Sequence, residues 1–131
     1  MHLRATHFES TVFINQGKGK YKPYPLPSLA QVSPINSIVV KDINDDHNLD
    51  LIIAGNNYNT EVETPRYDAG TGLLLLGDGS GQFNPITSLE SGFFVQENVR
   101  DMALIKGQTN NYLIGVAVNN EKMKFYKKQD K

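Results

Sequence analysis

Two stretches of the chain, one near its start and one in its second half, repeat each other. TVFINQGKGKY, residues 11–21, aligns with LLLLGDGSGQF, residues 73–83, so that both Gly-x-Gly pairs and the aromatic residue that follows coincide. Each copy reads as an apolar strand, a glycine turn and the start of a second strand. The chain is therefore expected to contain at least part of two copies of one structural unit.

A second pair of segments, residues 35–57 and 99–120, repeats with almost the same spacing. INSIVVKDINDDHNLDLIIAGNN aligns with VRDMALIKGQTNNYLIGVAVNN, and the second copy is shorter by one position in its middle. Ile35 thus aligns with Val99 at the start, and Ala54 aligns with Ala117 near the end. The two alignments together describe a unit of about 62 residues, and a unit of that size with four short strands is typical of a β-propeller blade.

The apolar runs predict an all-β chain. They are short, rich in β-branched and aromatic residues, and separated by Gly, Asn, Asp and Pro. No segment of 11 residues or more keeps the 3.6-residue period of a helix. The four strands of the complete copy, which pair as an antiparallel sheet, are expected at residues 35–41, 50–55, 72–77 and 83–88.

The repeats predict a single propeller fragment over residues 1–131. We expect a partial blade over residues 10–34, a complete blade over 35–98 and a partial C-terminal blade over 99–131. That is about two blades, whereas propellers usually contain roughly 4 to 8. The chain is therefore expected to form an incomplete ring, as the C-terminal part of a larger protein or as a unit that self-associates through its open blade edges.

Charge and composition exclude several kinds of partner. The 13 Lys and Arg against 14 Asp and Glu give a net charge of -1, which argues against nucleic-acid binding. No apolar run approaches the roughly 18 residues of a membrane span, so we expect no membrane insertion. Cysteine is absent, which leaves oxygen and imidazole groups as metal ligands.

The segment DINDDHNLD, residues 42–50, has Asp or Asn at every second position. Oxygens on alternating residues of a tight loop converge on one point, as a calcium ion with about 6 to 8 oxygen ligands requires. A helix-loop-helix calcium hand is excluded, because its sixth and twelfth positions hold His47 and Ile53 instead of Gly and Glu. The alternative is a solvated turn, since Asp and Asn are common in turns. The predicted calcium ligands are Asp42, Asn44, Asp46 and Asp50 through their side chains and Asn48 through its backbone carbonyl.

DINDDHNLDLIIAGNN followed by GLLLLGDGSGQF resembles an FG-GAP or VCBS-type repeat, the blade unit of integrin-like propellers and of many bacterial surface and secreted proteins. The resemblance covers residues 10–127. It implies a loop that binds Ca²⁺ between the first two strands of a blade, through positions that correspond to Asp42, Asn44, Asp46, Asn48 and Asp50. It also implies an extracellular, cell-surface or periplasmic location.

Two departures from the family pattern affect the predicted site. His47 stands where the family usually has Gly, so a left-handed backbone there would carry a modest strain. In the next repeat the matching loop is KGQTNN, residues 106–111, with Lys106 at the first ligand position and no carboxylate. We therefore expect one calcium site in this chain.

A polar insert, residues 56–72, separates the second and third strands of the complete blade. Successive loops of a meander alternate ends, so the insert is expected opposite the calcium loop. It combines aromatic and charged residues, which bind proteins or sugars, although an ordinary surface loop would have the same composition. The candidate contact residues are Tyr58, Glu61, Glu63, Arg66, Tyr67 and Asp68.

These features predict a non-enzymatic, calcium-stabilised scaffold for the recognition of a protein or glycan ligand. The alternative is a catalytic or non-catalytic part of a carbohydrate-processing enzyme, since blades of this type also occur attached to enzymes. A pair of facing carboxylates that includes Glu61, Glu63 or Asp68 would distinguish the enzyme. A purely structural spacer is the third alternative.

Overall fold

The computed structural model describes residues 2–107 and 111–129, and antiparallel strands dominate that part of the chain. The prediction of an all-β chain is confirmed. Two short helical elements accompany the strands in these residues, a 3-10 helix at Ser28–Gln31 and the helix α1 at Ser88–Ser91. In the described residues no helix is long and apolar enough to cross a membrane. The strands are β1 Thr11–Asn15, β2 Tyr21–Pro25, β3 Ile35–Lys41, β4 Asp50–Gly55, β5 Leu73–Gly77, β6 Phe83–Ile86, β7 Val99–Lys106, β8 Tyr112–Val118 and β9 Lys124–Lys127.

The strands of the described residues form three sheets in chain order. The N-terminal sheet is β1-β2, the central sheet is β3-β4-β5-β6 and the C-terminal sheet is β7-β8-β9. The predicted four-stranded sheet is therefore present, flanked by sheets with two and three strands, as expected for one complete and two incomplete blades. Its last strand ends at Ile86 instead of residue 88, because Thr87 caps the start of α1 and donates its hydroxyl to the Glu90 carboxylate.

The hairpins β1-β2 and β5-β6 have the same strand register. Asn15 pairs with Tyr21 in the first, and Gly77 pairs with Phe83 in the second. The sequence alignment matches Asn15 to Gly77 and Tyr21 to Phe83, so sequence and structure give the same correspondence. The turns also match, because glycines with positive φ stand at equivalent positions, namely Gly17 (79°), Gly19 (73°), Gly79 (77°) and Gly81 (99°).

The strand pairs β3-β4 and β7-β8 share an irregularity as well as a register. In each pair the register shifts after the first residue of the leading strand, which leaves Asn36 in one pair and Arg100 in the other as the extra residue of a β-bulge. The paired residues on either side of the bulge correspond as in the sequence alignment. They are Ile35 with Gly55 and Ser37 with Ala54 in β3-β4, and Val99 with Val118 and Asp101 with Ala117 in β7-β8.

β4 of the central sheet is buried on both faces, so its residues from Leu51 to Ala54 are apolar at both odd and even positions. The two faces belong to two hydrophobic clusters, because successive residues of a strand point to opposite sides. The face toward the N-terminal sheet contributes Leu51, Ile53, Leu73 and Leu75 to a cluster with Leu26 and Ala30. The face toward the C-terminal sheet contributes Val39, Ile52 and Ala54 to a cluster with Met102, Ile114 and Val116.

Hydrogen bonds join the central and C-terminal sheets where their first strands begin. The Ser37 hydroxyl donates to the Asp101 carboxylate at 2.9 Å and accepts the Met102 backbone N–H at 2.8 Å. The Asn36 side-chain amide donates to the Val99 carbonyl at 2.8 Å. Apolar packing and these polar contacts therefore fix the two sheets to each other.

Candidate metal centre and polar insert

The acidic loop, residues 42–50, connects β3 to β4 and ends in the first residue of β4. Two of its residues have left-handed backbone conformations, Asp45 with φ 64° and His47 with φ 71°. The sixth loop position, which His47 occupies, is thus left-handed. Because His47 carries a Cβ, this conformation is less favourable for it than for glycine.

Asp50 is fully buried, with 0% of its surface exposed, and it joins the acidic loop to the central sheet. One carboxylate oxygen accepts the Ile43 N–H at 2.7 Å, and the other accepts the Gly77 N–H at 2.9 Å. Ile43 lies near the start of the loop, and Gly77 ends β5. A single side chain thus ties the two ends of the loop together and attaches both to the neighbouring strand.

Asp42 and Asn44 direct oxygens to the same point inside the loop. The Asp46 N–H donates to an Asp42 carboxylate oxygen and to the Asn44 side-chain oxygen, each at 3.2 Å. The second Asp42 oxygen accepts the His47 N–H at 2.9 Å. The first and third positions of the loop, Asp42 and Asn44, therefore converge, as alternating loop residues should.

The Asp46 carboxylate accepts the Asn48 N–H and the Asn44 side-chain amide, both at 2.8 Å. These two hydrogen bonds hold the pKa of Asp46 below its usual value, so this side chain is ionised at neutral pH. The Asn48 side chain turns away from the loop centre toward the β5-β6 turn, where a Cβ on Gly79 would lie only 2.5 Å from its oxygen. Asn48 therefore packs the acidic loop onto the glycine turn.

The structure brings three of the predicted ligands, Asp42, Asn44 and Asp46, into one hydrogen-bonded cluster. Asp50 lies at the buried end of the loop, with both oxygens bonded to backbone amides. Within residues 2–107 and 111–129, no three His, Cys, Asp or Glu side chains are grouped as a metal site requires. The donor atoms are all oxygens, which suit Ca²⁺. To bind the ion, the carboxylates must give up hydrogen bonds that they now accept from backbone amides.

An ion pair that the sequence analysis did not predict links the acidic loop to the end of the C-terminal sheet. The Lys128 ammonium lies 2.5 Å from the Asp45 carboxylate, and this contact holds the pKa of Asp45 below its usual value. Lys128 directly follows β9 and is far from Asp45 in the chain, so no local pattern could indicate the pair. The segment KGQTNN, where we expected no calcium site, begins at Lys106, the last residue of β7. Its residues 108–110 lie outside the described residues.

Replacing His47 by Gly should stabilise the acidic loop. Glycine adopts a φ of 71° without the clash of a Cβ, although it also increases the entropy of the unfolded chain. The expected net gain is about 0.5 kcal/mol in the free energy of unfolding, measured by urea denaturation. His47→Ala is the matched control, because it keeps the Cβ and should show no such gain. A loss of stability in His47→Gly would contradict the strain assigned to this residue.

The polar insert is folded rather than extended. Asn57 and Tyr67 exchange two backbone hydrogen bonds of 2.8 and 3.0 Å, which close its base. The Thr64 N–H donates to the Glu61 carbonyl at 2.9 Å, which forms a turn at its tip. The insert leaves the last residue of β4, whereas the acidic loop ends in the first, so the two lie at opposite ends of a strand about 17 Å long. The predicted placement of the insert is confirmed.

Tyr58 supports the insert instead of extending into solvent. Its hydroxyl donates to the Gln96 carbonyl at 2.6 Å, and the Arg66 guanidinium lies 5.4 Å from the centre of its ring. Burial and the nearby Glu97 carboxylate raise the pKa of the Tyr58 hydroxyl. The other predicted contact residues are exposed at the surface: Glu61, Glu63, Arg66, Tyr67 and Asp68.

Asn56, which the sequence did not single out as a site residue, anchors both ends of the insert. Its side-chain amide donates to the Gly70 carbonyl at 2.8 Å and to the Gln96 carbonyl at 2.7 Å. Its side-chain oxygen accepts the Gly70 N–H at 2.9 Å. The residue is buried and left-handed, with φ 74°. The sequence signals were its place directly after an apolar strand and the recurrence of the Asn pair at residues 119–120 in the second repeat.

The chemistry available at the acidic loop is cation binding. Its carboxylate and amide oxygens are ligands for hard cations, and its three predicted carboxylate ligands repel one another unless a cation neutralises them. The insert offers an aromatic ring, a guanidinium and carboxylates at the surface, which suit contacts with a polar partner. Comparison of the chain with protein-family models, curated proteins and solved structures gave no match.

Proposed function

We propose that the chain is a calcium-binding propeller segment of the FG-GAP or VCBS type, which acts as an extracellular scaffold for the recognition of a protein or glycan. The observation that carries the proposal is the geometry of the acidic loop. Asp42 and Asn44 direct oxygens to one point, while buried Asp50 closes the same loop onto the central sheet. A merely solvated turn has no need of a buried carboxylate at its end.

The ion would be held by the side-chain oxygens of Asp42, Asn44, Asp46 and Asp50 and by the backbone carbonyl of Asn48. Calcium would supply the positive charge that offsets the repulsion between the carboxylates. The loop side chains already arrange these groups through hydrogen bonds to the backbone amides of Ile43, Asp46, His47 and Asn48.

Ion binding would stabilise more than the loop. Ile43 packs against the hydrophobic cluster between the central and C-terminal sheets, and Asp50 holds the Ile43 amide. Order in the loop is therefore linked to the packing of the two sheets. The role proposed for calcium is accordingly structural.

The proposed recognition surface is the polar insert at the opposite end of β4. Tyr67 is 52% exposed, and Glu61, Glu63 and Asp68 are exposed beside it. The two hydrogen bonds between Asn57 and Tyr67 present these side chains on an ordered loop, which reduces the entropy lost when a partner binds.

Calorimetric titration with calcium tests the metal site directly. We expect heat from a single class of site and a higher melting temperature in calcium than in chelator. At a calcium concentration of about 100 times the Kd, the gain in the free energy of unfolding should be about 2.7 kcal/mol. Asp46→Ala should abolish both effects, because it removes a central ligand.

The matched control is Asp68→Ala, which removes an exposed aspartate from the insert and should leave calcium binding unchanged. Magnesium at the same concentration should give a smaller melting shift, because it requires a stricter octahedron of ligands. No heat and no melting shift with calcium would overturn the proposal. An equal loss of binding in Asp46→Ala and Asp68→Ala would show that the acidic loop is not the site.

A further inference from the structure

Among the described residues, the first and last of the three packed sheets each have one largely apolar face on which no other sheet packs. The C-terminal outer face is the side of the C-terminal sheet turned away from the central sheet, formed by Ala103, Ile105, Leu113, Gly115, Ala117 and Phe125. Two charged residues border it on the same side, Asp101 beside Ala117 and Lys127 beside Leu113. The N-terminal outer face is the corresponding side of the N-terminal sheet, formed by Phe13, Tyr21 and Pro23. We infer that the chain self-associates head to tail, with the C-terminal outer face of one copy packed on the N-terminal outer face of a second copy.

The C-terminal outer face corresponds to a face that is covered in the central sheet. Gly115 pairs with Phe125 as Ile52 pairs with Leu74, and Ala117 occupies the place of Ala54. Leu74, the equivalent of Phe125, packs against the cluster between the central and C-terminal sheets, whereas Phe125 is 56% exposed. The repeat thus places an apolar side chain at a position that needs a neighbouring sheet.

The side chains of this face form one continuous surface. Gly115 has no side chain, and a Cβ there would lie 3.0 Å from the Ile105 side chain and 3.5 Å from the Phe125 ring. Ile105 and Phe125 therefore close over the glycine. Ile105 is itself 41% exposed, so the surface presented to a partner is aliphatic and aromatic.

The N-terminal outer face also exposes apolar side chains whose equivalents in the central sheet are covered. Phe13 occupies the place of Leu75, which the N-terminal sheet buries completely, yet Phe13 is 59% exposed. Tyr21 occupies the place of Phe83, which packs against the same cluster as Leu75. Within the described residues, therefore, no sheet packs on either outer face.

Copies packed head to tail would cover each outer face with the opposite outer face of a neighbouring copy. Within one chain, Val12 packs against the cluster that contains Leu75. One position is equivalent in all three sheets: Val12 in the N-terminal sheet, Leu74 in the central sheet and Phe125 in the C-terminal sheet. Contact between Phe125 and Phe13 of a second copy would therefore repeat a contact that the chain already makes. Such a head-to-tail interface closes into a ring or continues as an open chain.

This inference rests on the proposal that the sheets are blades of an incomplete propeller, but it does not require calcium. Sedimentation velocity of the full chain over a range of concentrations should show reversible association. Phe125→Glu and Phe13→Glu should each weaken association at least about tenfold, since each places a charge in an apolar contact. Ile38→Glu is the matched control, because Ile38 is 50% exposed on β3 and belongs to neither face, and it should associate normally.

Cysteine cross-linking identifies the contact, because the chain has no cysteine of its own. An equimolar mixture of Phe13→Cys and Phe125→Cys should form a disulfide-linked heterodimer, and a mixture of Ile38→Cys and Phe125→Cys should not. A full chain that stays monomeric at every concentration would overturn the inference, as would association that Ile38→Glu disrupts and Phe125→Glu does not. Calcium titration of the same variants separates the two proposals, because it should be unchanged in Phe13→Glu and Phe125→Glu.

Discussion

Asp50→Ala should lower the free energy of unfolding by about 3 kcal/mol and the melting temperature by about 10 °C. The carboxylate is fully buried and accepts the backbone N–H groups of Ile43 and Gly77. Alanine would leave two donors without partners, each at a cost of about 1 to 3 kcal/mol. Urea denaturation in chelator measures this effect free of any contribution from bound calcium.

The same substitution should also remove calcium binding, since it deletes a proposed ligand and releases the end of the loop. Asp45→Ala is the matched control, because Asp45 lies in the same loop but is exposed and pairs with Lys128 at the surface. We expect its urea midpoint to stay close to that of the unchanged chain. If Asp50→Ala and Asp45→Ala unfolded at the same urea concentration, the buried bridge from the loop to β5 would have no importance for stability.

Asn56→Ala should be destabilising by about 3 kcal/mol, the second largest effect we expect. The buried side chain makes three hydrogen bonds, two with Gly70 and one with Gln96, and alanine makes none of them. A residue with a Cβ and no side-chain hydrogen bond is also unfavourable at φ 74°. Urea denaturation measures the loss of stability, and limited proteolysis should show faster cleavage within the polar insert.

Asn56→Gly separates the two causes. Glycine also lacks the hydrogen bonds but tolerates the left-handed backbone, so it should be about 1 kcal/mol more stable than Asn56→Ala. Asn59→Ala, an exposed change in the same insert, should have little effect on either measurement. Slow proteolysis of the insert in Asn56→Ala would mean that the Asn57 and Tyr67 backbone pair alone keeps the loop closed.

Much of the strand layout could be predicted from the sequence, because apolar runs and glycine turns are local signals. The first three strands of the central sheet lie within a residue of the predicted bounds, and β7 begins at the predicted position, Val99. The fourth strand is shorter than predicted, because the capping interaction between Thr87 and Glu90 starts a helix there. A single helical turn is too short to produce a hydrophobic period, so the pattern of apolar residues could not reveal it.

The candidate site was partly predictable for a similar reason. Alternating Asp and Asn residues indicate which oxygens share a loop, and Asp42 and Asn44 do converge. The sequence could not indicate that Asp50 would bond to Gly77, or that Lys128 would pair with Asp45, since both contacts join segments distant in the chain. It also could not reveal that Tyr58 faces Gln96, because burial of a loop residue depends on the packing of neighbouring segments.

The bulges at Asn36 and Arg100 have a consequence for how such a chain can be extended. A bulge increases the local twist of the strand pair that contains it. Since both pairs carry the bulge at the same place, we expect both sheets to be coiled alike. A further sheet with the bulge at the same place would carry the same local twist at the start of its leading strand.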